Sequence, residues 1–208
     1  APAPNETVCD TATLTVSSSL APALLVTKTV SQTPLVVGKT GQFYTIKITV
    51  SNGPTTAPIT ISDSLPDGIT TSDVITATGG TLSGCPAIGA TTLANCSIAA
   101  GAVTGDIVIT VPIAVAASTT SGKNTATATG GGSPCPAGTN CTGTTPETPI
   151  LDAVNDAVTV QPNAATTTPV GGNDKYPTNS VFTNTGTGTC AGTITFSGSD
   201  VSYTSPAA

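Results

Sequence analysis

The sequence predicts an all-β protein, an antiparallel β-sandwich followed by a small, strand-deficient β domain. Strict alternation of apolar and polar residues recurs in short runs, as in Phe43–Val50, where Tyr44, Ile46, Ile48 and Val50 share one face. Glycine (22) and proline (17) punctuate a chain otherwise rich in Thr, Val and Ile, the composition of short strands joined by tight turns. No segment carries a helical period. The nearest candidate, Ile113–Ala117, is short and β-branched, follows a proline, and reads better as a strand.

The elements follow in order. Phe43–Val50 ends in the turn Asn52-Gly53-Pro54, and Ile59–Asp63 is a strand closed by Leu65-Pro66-Asp67-Gly68. Asp106–Val111 and Asn124–Thr129 complete the set. Short strands at this spacing, each with one apolar face, pack as a sandwich.

Composition limits the classes of function. Six cysteines without Met, Trp or His point to an oxidising, extracytoplasmic setting. Zinc would require Cys-x-x-Cys knuckles or histidines, and neither occurs. The longest apolar run, Ala21–Val26, is too short to span a bilayer and contains a proline. The opening Ala-Pro-Ala-Pro looks like the end left by a signal peptidase, so a mature secreted protein is expected. Five scattered lysines face eleven acids, with no arginine and no basic patch, which excludes nucleic acid and anionic membranes as partners. With only 8% charged residues, solubility rests on Thr, Ser, Asn and Gly.

Leu25–Val30, Val37-Gly38-Lys39-Thr40, Tyr44-Thr45-Ile46, Val50–Pro54, Ile61–Gly68 and Asn124–Thr127 resemble, in order, the motifs of the DUF11 family of bacterial surface repeats. The resemblance covers about Ala23 to Gly130. It implies an immunoglobulin-like sandwich in an extracellular protein and supplies no biochemical activity.

The expected organisation is an N-terminal strand within 1–20, the sandwich over 21–131, a Pro/Thr-rich linker over 132–150 and a small β domain over 151–208. Cys85 and Cys96 form one local pair, and Cys135 and Cys141 a second that stiffens the linker. In the last unit, which resembles more weakly the edges of another bacterial immunoglobulin-like repeat, strands are expected at Asn155–Val160, Gly192–Phe196 and Val201–Pro206, with Val181-Phe182 between them. Fewer than sixty residues with so few strands make an incomplete sandwich.

No catalytic constellation is visible: histidine is absent, and the acids are dispersed over turns. The chain is not expected to be an enzyme. Lys28, Asp63 and Asn124 form the sharpest set. A lysine and an asparagine on the first and last strands of Gram-positive surface sandwiches condense to an isopeptide with help from a buried acid, which carries the proton. The plainer alternative has Lys28 extending along an edge and Asp63 and Asn124 satisfying turn backbone. Asp152, Asn155 and Asp156, with Asn173 and Asp174, are oxygen ligands suited to Ca²⁺, but no calcium-loop spacing is present and Asx turns explain them equally well. No cofactor is therefore expected.

Cys9 precedes an alternating run in which Ala12, Leu14 and Val16 share a face, and Cys190 borders the thin C-terminal unit. This arrangement predicts strand donation: the run completes a neighbour's C-terminal domain, a Cys9–Cys190 disulfide locks the joint, and head-to-tail repetition builds a homopolymeric filament. Two alternatives stand beside it. The strand could fold back within its own chain, giving a monomeric spacer or adhesin module that meets a glycan or a host surface. A carbohydrate-binding module is the other, disfavoured by three Tyr, three Phe and no Trp.

Overall fold

The computed structural model describes residues 20–134, 141–161, 163–183 and 192–206. The described residues contain strands and turns and no helix. One sheet orders β1 (Ala23–Val30), β3 (Gln42–Ser51), β9 (Gly105–Val115) and β5 (Ile69–Thr71), with β6 (Thr76–Thr78) also on the free side of β9. The second orders β11 (Thr142–Thr144), β10 (Thr125–Gly130), β4 (Ile59–Ser64), β8 (Thr92–Ile98) and β7 (Leu82–Ser83). Both sheets are antiparallel throughout.

The alternation read from the sequence is the alternation of burial. On β3, Tyr44, Ile46, Ile48 and Val50 are buried; on β9, Ile107, Ile109, Val111, Ile113 and Val115 are. Their inner faces meet Ile59 and Ile61 of β4, Leu93 and Ile98 of β8 and Ala126 and Ala128 of β10 in one apolar core. Removing these branched side chains from water is the main driving force of the fold, at about 1.5–3 kcal/mol per fully buried large residue. Ile113 to Val115 continue β9, as their β-branching suggests.

On β8 the buried positions are Leu93, Cys96 and Ile98, and the odd step from 93 to 96 cannot be made on a regular strand. A bulge opposite Ile61/Asp63 absorbs the extra residue, with Asn95 at φ 68°. It brings Cys96 inward to Cys85, and the expected disulfide between them is present.

Residues 142–150, expected within a linker, and Leu151, expected to open the small β domain, pair instead with the sandwich strands. Thr142–Thr144 (β11) pair with Thr125–Thr127 of β10. Ile150–Leu151 (β12) run parallel to Leu35–Val36 (β2) and Ile150 is buried. The physical reason is burial: Thr145, Thr148 and Ile150 are all buried, and Thr148 packs with Leu35 so tightly around Gly122 that an added Cβ there would stand 2.6–3.1 Å from them. Proline and threonine content suggested a spacer, but β-branched threonine is also a good strand former. Cys141 is disulfide-bonded, while Cys135, its expected partner, lies outside the described residues.

The C-terminal unit is a three-stranded sheet ordered β13 (Ala165–Pro169), β15 (Asp200–Thr204), β14 (Thr193–Ser197). Two expected strands are absent. Asn155–Val160 and Val181-Phe182 have no strand pairing; the former is an exposed stretch, and Phe182 packs edge-on against Tyr176 with ring centroids 5.0 Å apart. Alternation without a neighbouring edge does not make a strand. Conversely β13 was hidden in a run that reads as turn formers, and β15 recruits it through cross-strand pairs such as Thr167–Ser202.

Candidate functional site

Three polar residues occupy positions that the strand period reserves for the core. On β1 the inward series is Leu24, Val26, Lys28; on β4 it is Ile59, Ile61, Asp63. Asn124, one residue ahead of β10, begins the series Asn124, Ala126, Ala128. All three are buried, and the side chains of Lys28 and Asp63 have no solvent exposure. Burial excludes the reading of Lys28 as an edge residue reaching water; Asp63 accepts from Lys28 rather than from turn backbone, whereas Asn124 Oδ1 does accept from the neighbouring backbone N of Thr125. The sequence brought these three together as a set. Its parity signal, a charge at the third position of an inward series on two strands, marks them as interior.

Small residues clear the path between the strands. Ala126 is the Cα partner of Asp63 on one side and of Gly143 on the other. Gly143 lies against β1 so closely that an added Cβ would stand 2.7–2.9 Å from backbone atoms of Thr27 and Lys28. From β1 the lysine side chain reaches β4 and donates a hydrogen bond from Nζ to Asp63 Oδ2.

Asn124 shares Ala126's face two residues along, the diagonal neighbour of Asp63 across the β10–β4 pair. Its backbone is clamped by Thr145: Asn124 N donates to Thr145 Oγ1 at 2.9 Å and Thr145 N donates to Asn124 O at 2.9 Å. Tyr44 completes the wall, its hydroxyl donating to Gly122 O at 2.7 Å and its ring centroid 4.8 Å from Lys28 Nζ.

Burial pushes the Lys28 amine below its ordinary value, and the Asp63 carboxylate offsets this only in part. Burial, with the Asp63 charge adding to it, holds the Tyr44 hydroxyl above its ordinary value. Among the described residues three buried side-chain polar atoms lack a hydrogen-bond partner, and two are here: Asp63 Oδ1 and Asn124 Nδ2. Orphaned atoms of this kind are rare in packed interiors because each costs about 1–3 kcal/mol. Asn124 Oδ1, by contrast, accepts from Thr125 N at 2.7 Å.

The other candidates are not assembled in the same way. Asp174 Oδ1 accepts from Val154 N at 2.6 Å, and Asp152 forms a backbone bridge with Lys175. Asp156 and Asn155 lie on the exposed stretch, and no group of three acids, cysteines or histidines suited to a metal occurs among the described residues. Cys9, Ala12, Leu14, Val16 and Cys190 lie outside the described residues. Searches against protein-family models and curated proteins find no match to this chain.

Proposed function

We propose that the protein is a structural subunit of an extracellular filament, joined head to tail when the N-terminal strand of one copy completes the C-terminal sheet of the next. The observation that carries this reading is the state of that sheet. Among the described residues every buried hydrophobic residue lies between Leu24 and Ile150, and beyond Ile150 only Gly171 is buried. On one face of the sheet Ile194 and Phe196 sit opposite Tyr203 and Val201, and both Ile194 and Phe196 are exposed. The outer edge of β14 has no partner among the described strands. An apolar face beside an open edge is the arrangement that strand addition satisfies, with backbone bonds from the edge and apolar contacts from alternate side chains.

Geometry favours a neighbour as donor. Leu20 leads into β1 at the pole where Ala23 pairs with Ser51, whereas the C-terminal unit is anchored at the other pole, where Lys175 Nζ bonds Thr119 O at 2.9 Å and Val37 N bonds Leu151 O at 2.8 Å. The ten residues of β3 separate these poles by roughly 30 Å. Only Ser17, Ser18 and Ser19 stand between Val16 and Leu20, a reach of at most about 14 Å. Donor and acceptor at opposite poles generate an open head-to-tail chain. Cys190 precedes β14 by three residues, so a Cys9–Cys190 disulfide would fasten the added strand at the start of that edge. The motifs that resemble DUF11 repeats suit a bacterial surface location.

Non-reducing electrophoresis of native material should give a ladder that reductant and heat collapse to one band, and Leu14→Asp should abolish the ladder. A monomer in native sizing columns at all concentrations would overturn the proposal.

A further inference from the structure

We infer that Lys28 and Asn124 become joined by an isopeptide bond inside the sandwich, with Asp63 carrying the proton between them. The inference does not depend on head-to-tail assembly, since all three residues lie within one copy.

The reaction needs an amine nucleophile, an electrophilic carbonyl, a proton carrier and no water. Lys28 supplies the amine, sealed from solvent and in contact with the acid that can take its proton. Desolvation favours the neutral amine, which alone has the lone pair to attack. Asn124 supplies the carbonyl, and the Thr125 N–H at 2.7 Å from Oδ1 polarises it and meets the charge that develops on that oxygen. The clamp from Thr145 and the Tyr44–Gly122 bond fix the segment bearing Asn124 as the diagonal neighbour of Asp63, the residue that Lys28 contacts, which confers the benefit of proximity.

The step balances without any further reactant. Lys28 Nζ bonds to Asn124 Cγ; Asp63 accepts a proton from Nζ and delivers one to Nδ2; the Cγ–Nδ2 bond breaks and ammonia leaves. The product is a secondary amide, whose remaining N–H can donate to Asp63. A plain buried ion pair leaves two atoms unexplained, Asp63 Oδ1 and Asn124 Nδ2. The reaction accounts for both, since Oδ1 is a second site for the shuttled proton and Nδ2 is the leaving group. Charged pairs sealed in a core are poor stabilisers by themselves.

The test is the intact mass of the full-length protein after reduction and alkylation, followed by peptide mapping. The expected mass is one ammonia below that of the sequence, with a branched peptide linking Lys28 to Asn124. Asn124→Ala, Lys28→Met and Asp63→Ala should each return the full mass. Three results on the native protein would overturn the inference: the full sequence mass; loss of one water, placing the bond between Lys28 and Asp63; or ammonia loss mapping to a succinimide at Asn52-Gly53. Because these are read on the unmutated chain, a variant that fails to fold does not decide the matter.

Discussion

Replacing Asn124 by alanine separates a crosslinked core from an ordinary buried ion pair, because the two give stabilities that differ by several kcal/mol. The substitution leaves Lys28 on Asp63 and removes only the electrophile. If the isopeptide forms, it closes a loop of roughly 100 residues, and the chain-entropy treatment of a crosslink assigns such a loop about 4–5 kcal/mol. Loss of the contact between Asn124 Oδ1 and Thr125 N adds about 1 kcal/mol. The variant should then be about 5 kcal/mol less stable, and at roughly 4 °C per kcal/mol for a domain of this size its melting temperature should fall by about 20 °C. If no bond forms, the same substitution trades one hydrogen bond for relief of the orphaned Nδ2, and these nearly cancel. Guanidinium unfolding of both proteins with disulfides intact measures the difference. A change below about 1 kcal/mol would refute the crosslink argument whatever the variant's mass.

Gly143→Ala places a Cβ against the β1 backbone and should cost about 1–3 kcal/mol while slowing appearance of the lighter mass; unchanged stability would mean that β11 is not pressed on Lys28. In Asn124→Ala the free Lys28 amine has a lowered folded-state value against 10.5 unfolded, so the unfolded chain binds more protons in the window between them. Its stability should therefore rise with pH up to about pH 10, above which Tyr44, with its raised value, begins to oppose the trend. The crosslinked parent has no amine at position 28 and should lack that rise; parallel pH profiles would count against the bond. Cys85→Ala with Cys96→Ala opens a short loop (sequence separation 11) and should lower unfolding stability by about 2–3 kcal/mol, read as a shift in denaturant midpoint without change of fold.

Much of the sandwich was legible because one physical rule, burial of alternate side chains, writes itself into single strands. Tyr44 to Val50 and Ile107 to Val111 needed no partner to be recognised. The same rule misled at Asn155–Val160, where alternation occurs without an edge to pair. It was silent on β8, whose bulge breaks the period, and on β11 and β12, whose threonines and prolines resemble a tether. For the site, residue types and chain order brought Lys28, Asp63 and Asn124 together. The roles of Gly143, Thr145, Tyr44 and the Thr125 amide were invisible, because each acts through contacts between distant segments.

An all-β protein follows from local pattern alone, since short alternating runs broken by glycine and proline can bury their apolar faces in few other ways. It took the packing of distant strands to place a lysine and an aspartate in one dry interior near an asparagine whose Nδ2 has no hydrogen-bond partner. The same packing leaves Ile194 and Phe196 of the last sheet exposed among the described residues. Inward or outward is a local property of a strand, but what an inward residue meets depends on which strands the sheets lay across it.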